Sequence, residues 1–232
     1  MKKISLKIAC SLLLLCTPFY NNAYAKEKHN VVVNLNTTST SLSLSNVLQQ
    51  LIIVQTSGDY NHYETSNMIQ RISKINNPIL YSLYKNNVHI KLINFPITYL
   101  SEYSYLRGQI PRGWEGTGYT WDYVPGIGGN PVVARIGYSN YGNMHTSINL
   151  ELHETAHAID RYVFQNISYS REFLSIHSQE YNSFSNSSYY YYPEEYFAEA
   201  FAYYYLTSET NNTLKKQAPF TYRFIQNLPY RL

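Results

Sequence analysis

The 232-residue sequence contains two cysteines, Cys10 and Cys16, and both lie within the first 16 residues. Those residues have the pattern of a secretory signal peptide. Lys2, Lys3 and Lys7 form a basic start, residues 8–16 an apolar stretch, and Ala23-Tyr24-Ala25 a small-x-small cleavage site. Cleavage after about Ala25 leaves no thiol, which excludes a disulfide framework and any cysteine-ligated metal site. The apolar stretch is too short to span a bilayer as a helix, and no later run is long and apolar enough to do so. Charge is scarce as well, with charged side chains making up 14% of the chain. The excess of 18 basic over 15 acidic residues comes from the three lysines of the leader. No basic patch or charge run remains to argue for nucleic acid or membrane binding. Roughly 207 residues remain after cleavage, enough to bury a core.

Residues 26–45 are rich in Thr, Ser and Asn and read as a flexible lead-in. Residues 46–232 read as one catalytic domain, with an N-terminal half to about 146 and a helical C-terminal half from 147. Residues 51–55 are a short apolar, β-branched run that fits a buried strand. Helical spacing covers 64–76, and Pro78 can open a second helix over 78–84. The alternation over 88–93 fits a half-buried strand, and 97–106 fits a helix. Residues 109–130 contain six glycines and two prolines around Trp114 and Trp121, the composition of a functional loop rather than of a regular element. Residues 132–137 read as a strand. Pro131 before them lacks a backbone donor and suits a strand start or a sheet edge, and this strand is the candidate for pairing with an extended substrate.

The segment 147–164 carries the chemistry. It contains His153-Glu154-Thr155-Ala156-His157, an H-E-x-x-H pattern. On a helix, residues four apart share a face, so both imidazoles can reach one metal ion. Glu154 leaves the helix about 100° round from His153. It can therefore hold a water on the metal instead of binding the metal itself. The chemistry this implies is zinc-assisted hydrolysis with Glu154 as the base. Ser147 is the expected N-cap. Asp160 and Val163 stand where a metzincin needs Gly and His, which excludes that class.

A catalytic zinc needs a third protein ligand. Residues 170–180 read as a helix, 181–192 as a Ser/Asn/Tyr loop, and 193–203 as a helix opened by Pro193. Glu195 is the best candidate for the third ligand. Glu199, one turn further on, can accept a hydrogen bond from a ligand imidazole and fix its tautomer. Acids early in a helix also complement its dipole, but that alone leaves Glu199 among apolar neighbours unexplained. A tyrosine of the 189–192 run can reach the oxyanion. The other histidines have no partner at ligand spacing and read as surface or packing residues. The chain closes with a segment capped by Ser208 and a helix over 219–228.

Three stretches carry a family likeness: RGWEGTG (112–118), INLELHETAHAID (148–160) and YPEEYFAEAFAYYY (192–205). Together they resemble the secreted Pro-Pro endopeptidases, zinc enzymes similar to the catalytic domain of anthrax lethal factor. The resemblance implies a zincin-like α+β fold: a small mixed sheet with an edge strand beside the H-E-x-x-H helix, and a helical C-terminal part. It implies one Zn²⁺ per chain on His153, His157 and Glu195, with Glu154 as base. Trp114 would line the substrate cleft, and Glu194 would pair with Arg112, where the best-known members carry Lys. The family's oxyanion tyrosine falls seven residues before the ligand glutamate. That step lands on Ser188 here, so the role passes either to Tyr189 across a shortened loop or to a neighbour in the 189–192 run, with Tyr189 the first choice. Gly128, Gly129 and Asn130, with the 181–192 loop, would set the preference for residues flanking the cleaved pair. The implied substrate is a proline-rich protein of the bacterial surface, cut between two prolines. A toxin-type protease with a host target is the alternative, as is a binding module that has lost the chemistry. The sequence contains no Pro-Pro pair of its own.

Overall fold

The computed structural model describes residues 43–184 and 188–232. The expected signal peptide at 1–25 and the expected lead-in as far as 42 lie outside these residues. Within them the lead-in ends sooner than its composition suggests. Helix α1, Leu44–Leu51, starts at an N-cap in which Ser43 accepts a hydrogen bond from the amide of Asn46, and it buries Val47 and Leu51. Strand β1, Ile52–Gln55, follows directly. Helix α2, His62–Ile72, is capped by Asn61 and buries Thr65, Met68 and Ile72, one face at helical spacing. Helix α3, Asn77–Lys85, has proline in its first turn and buries Ile79, Leu80 and Leu83. Strands β2, Ile90–Ile93, β3, Gly126–Gly128, and β4, Val132–Arg135, complete a four-stranded sheet in the order β1-β2-β4-β3. β1, β2 and β4 are parallel, and β3 runs antiparallel to β4.

Four expectations change here. β1 is an outer strand, not a buried one: Ile53 and Val54 are 37% and 38% exposed. β2 is central and covered on both faces rather than half-buried. Ile90 and Leu92 face the main core, while Ile93 faces a smaller cluster with Ile97, Leu100, Tyr103, Leu106 and Val133. Residues 97–106 form two 3₁₀ turns, Ile97–Tyr99 and Ser101–Leu106, because Leu100 between them is extended. β4 is interior, and the edge beside the metal helix is β3. The reason lies at Pro131, which stops just short of the ladder. The first strand amide, that of Val132, bonds the carbonyl of His89 at 2.8 Å. The missing proline donor therefore falls outside the pairing and does not mark an edge.

Helix α4, Leu150–Ala158, carries the histidines and runs into a π-helical turn, Ile159–Val163. Its N-cap is Asn149, whose Oδ1 accepts from the amide of Leu152 at 3.0 Å; Ser147 instead meets His145. Asp160 is buried and accepts from the amide and hydroxyl of Ser168, so it fastens the exit of the helix. Helix α5, Arg171–Phe184, takes in the first four residues of the expected tyrosine loop. Helix α6, Pro193–Leu206, buries every residue from Glu195 to Ala202 and packs along α4. A helix buried on all sides is a core element, and Ala198, Ala200 and Ala202 let its neighbours come close. Helix α7, Ser208–Gln217, is capped by Thr207 in a reciprocal box with Thr210, where Ser208 was expected. Helix α8, Pro219–Asn227, follows. Among the described residues no helix is long and apolar enough to cross a membrane.

Candidate metal centre

α4 and α6 each bring one part of the centre. His153 and His157 point their Nε2 atoms to within 3.2 Å of each other. Oε2 of Glu195 lies 3.3 Å from the first and 3.2 Å from the second. This nearly equilateral triangle has the size a tetrahedral metal requires, since bonds of about 2.0 Å place ligand atoms about 3.3 Å apart.

Proton bookkeeping supports the same reading. Nδ1 of His153 faces Oε2 of Glu199 at 3.2 Å. In the neutral imidazole the proton sits there, so Nε2 presents a lone pair. With the His157 proton likewise on Nδ1, three lone pairs converge on one point, an arrangement that a bound cation satisfies. In the metal-free chain that cation is a proton. Burial alone would depress the His153 imidazolium, but its hydrogen bonds to Glu195 and Glu199 prevail and push its pKa up to about 10. For Glu195, burial alone would raise the carboxyl, but both histidines hold it far below the usual carboxylate range.

The outer oxygen of Glu195 is also tied down. Oε1 accepts from the hydroxyl of Tyr189 at 3.0 Å and from Nη2 of Arg112 at 3.1 Å. The same Arg112 nitrogen reaches Oε1 of Glu194 at 3.1 Å, and the guanidinium lies 4.2 Å over the ring of Tyr192. The other oxygen of Glu194 accepts from the hydroxyl of Tyr169 at 2.5 Å. Burial and this carboxylate push the Tyr169 phenol up to about 12. Tyr169 was not legible in the sequence, because it lies 25 residues from Glu194 in a different element. Glu199 is held at both ends, with Oε1 accepting from the amide of Ile148 at 2.8 Å. Burial raises the Glu154 carboxyl, with the two histidines opposing.

Trp114 is half-buried and meets Tyr119 edge-on at 6.2 Å. Gly113 and Gly116 on either side have φ of +82° and +79°, a backbone shape that favours glycine. The loop is anchored at its foot by Asp122, which accepts from Thr98, the amide of Gly108 and Thr120 at 2.5, 2.9 and 2.8 Å. Those bonds hold its carboxyl at about 2.

The remaining sequence-derived residues lie beside the centre. Gly128 belongs to β3, and Gly129 and Asn130 form the turn to β4. The Asn130 side chain is committed to the backbone of Asn87 and His89. His145 bonds Ser147 and the carbonyl of Tyr138, and His177 bonds the carbonyl of Tyr190. Both histidines pack rather than ligate.

An H-E-x-x-H helix, a carboxylate from a second helix and an antiparallel edge strand together define a zincin, a metal-dependent peptidase. Residues 36–228 match the family described as "Anthrax toxin lethal factor, N- and C-terminal domain". The chain is 48% identical over 200 residues to a Pro-Pro endopeptidase of Clostridioides difficile (strain 630), covering 86% of this chain and 91% of that one. It is 42% identical over 184 residues to a Pro-Pro endopeptidase of Paenibacillus alvei, covering 78% and 84%. The solved structure of the Pro-Pro endopeptidase PPEP-2 from Paenibacillus alvei matches with a TM-score of 0.75 at 45% identity, over 78% of this chain and 99% of that one. The chain belongs to the Pro-Pro endopeptidases, within the lethal factor family, and is a metalloendopeptidase.

Proposed function

We propose that this chain is an exported zinc endopeptidase that cuts the bond between two prolines in proline-rich proteins of the bacterial surface. The observation that carries the reading is the donor triangle of His153, His157 and Glu195, with Tyr189 one hydrogen bond from its outer oxygen. Its identity to two Pro-Pro endopeptidases over most of the chain supports the substrate class, and the leader sequence supports export.

Bound zinc supplies Lewis acidity, lowering the pKa of a water and polarising the scissile carbonyl. The chain's own groups do the rest. Glu154 takes the water's proton and delivers it to the departing proline nitrogen, which cannot leave as an anion. Tyr189 turns its hydroxyl from Oε1 of Glu195 to the oxygen of the attacked carbonyl and donates to it. Burial raises its phenol well above the ordinary range, so it stays a donor at working pH. Arg112 turns Glu195 so that one oxygen faces the histidines. A Pro-Pro segment is already stiff, so little entropy is lost as it docks. The rings of Trp114 and Tyr192 offer flat walls for proline rings.

Mapping by mass spectrometry of the cuts made in a mixed X-Pro-Pro-X peptide library tests the substrate class. Cleavage confined to Pro-Pro bonds is expected; cleavage indifferent to proline on either side sinks it. Tyr189→Phe tests the oxyanion assignment. The loss of one such donor lowers kcat by about 10²–10³-fold, with zinc content unchanged. A kcat within about twofold of the parent moves the role elsewhere.

A further inference from the structure

Two glycines of β3 stand apart from the reaction groups and yet touch them. In a strand, residues 126 and 128 share one face, with Ile127 on the other. Ile127 packs into the smaller core cluster, so Gly126 and Gly128 face α4. A Cβ at position 126 would lie 2.7 Å from Cδ1 of Leu150 and 2.8 Å from both Cγ and Oε1 of Glu154. A Cβ at position 128 would lie 2.2 Å from Cβ of His157, 2.8 Å from Cγ and 2.9 Å from Cδ2. Neither glycine has a positive φ, so backbone shape is not what demands glycine here. Glycine also weakens a strand, having no side chain to pack. The remaining demand is close approach: bare backbone lies directly against the base and against one metal ligand.

We infer that Gly126 and Gly128 are positioning residues, the first for the carboxylate of Glu154 and the second for the ring of His157. This rests on the reading of those two side chains given above. The two glycines act differently because their neighbours differ in freedom. At 126 the obstructed atoms, Cδ1 of Leu150 and Cγ and Oε1 of Glu154, all lie on side chains beyond Cβ, so an added methyl shifts the leucine methyl, turns the carboxylate aside and leaves the helix in place. At 128 the nearest atom is a Cβ fixed to the helix backbone, so an added methyl lifts the strand or displaces the ring. The first change acts on proton transfer and the second on metal affinity.

Gly126→Ala and Gly128→Ala, made in the full chain, separate these effects. The readouts are kcat and KM on a Pro-Pro peptide, zinc affinity by chelator competition, and thermal unfolding without metal. Gly126→Ala is expected to lower kcat about 100-fold, the scale of a misplaced catalytic group, with KM and zinc affinity close to the parent. Gly128→Ala is expected to lower zinc affinity about 10–100-fold, with activity partly restored by added zinc. Added zinc does not restore Gly126→Ala. Should Gly126→Ala fold poorly, pairing it with Leu150→Val removes the methyl contact at Cδ1. The pair is then expected to regain stability but not kcat. Parental kcat and zinc affinity in both variants, or the same combined loss in both, overturns the inference. A parent chain that binds no zinc or cuts no Pro-Pro peptide overturns the underlying reading instead.

Discussion

Glu154→Gln is expected to lower kcat by about 10²–10⁴-fold, the usual worth of a positioned general base, while zinc content and the fold stay as they are. The side chain is half-buried on α4, outside the donor triangle. The amide is isosteric, so it fits against Gly126 as the acid does, and the ligand set does not change. What it loses is the ability to take a proton from water and pass it to the leaving nitrogen. Both halves of that transfer depend on the carboxylate, so activity is held above its pKa and lost below it. Burial raises that pKa. With zinc kept saturating, an acid limb of kcat/KM that comes from this group should vanish from the residual activity of the amide variant. Kinetics on a Pro-Pro peptide, with metal content measured on the same samples, check both points. An amide variant that retains parental kcat removes Glu154 from the mechanism.

The parts of this centre that could be read in advance share one property: local spacing reports them. His153 and His157 are four apart on a helix, so their convergence follows from helical geometry. Glu195 and Glu199 are likewise four apart, in a segment whose apolar neighbours announce burial. The parts that could not be read depend on packing between distant segments. β3 is three residues, Gly-Ile-Gly, inside a glycine-rich loop, with none of the composition that favours strands. It exists because its backbone pairs with β4 and lies against α4. Residues 132–137 have the composition of an edge beside the metal helix but sit inside the sheet. Tyr169 reaches Glu194 from the link between α4 and α5, and no sequence interval reports such a contact. Asn149 displaced Ser147 as cap because the chain is still extended at 149, with φ of −154°, and the helix begins one residue later.

Glu195→Gln is the substitution expected to weaken the metal site most, and Glu199→Gln is its proper comparison. Structural zinc sites in zinc-finger peptides bind with apparent free energies of about 10–16 kcal/mol, which sets the scale for a site with protein ligands. One ligand's share is then about 3 kcal/mol or more, and its loss weakens binding at least about 100-fold. The amide also turns a donor or a weak neutral acceptor toward two imidazole lone pairs, and Arg112 and Tyr189 lose an anionic acceptor. Glu199 lies one step out. Its amide can still accept from Ile148, but the NH₂ then faces Nδ1 of His153 across the 3.2 Å contact. Two donors cannot share that contact, so the imidazole proton is driven to Nε2, where the lone pair was needed. Such outer partners are worth about 10–100-fold in affinity, so Glu199→Gln should lose less than Glu195→Gln. Both effects depend on pH with one sign. In the metal-free chain the proton on His153 persists to a pKa of about 10, so zinc must displace it at neutral pH. Affinity in the parent should therefore rise with pH across the neutral range, by up to about tenfold per unit for one proton released. In Glu195→Gln the hydrogen bond that most favours that proton is gone, and the pH dependence should flatten. Chelator competition at several pH values checks both results. A parental slope in Glu195→Gln would mean that this carboxylate is not what holds the proton, or the metal, in place.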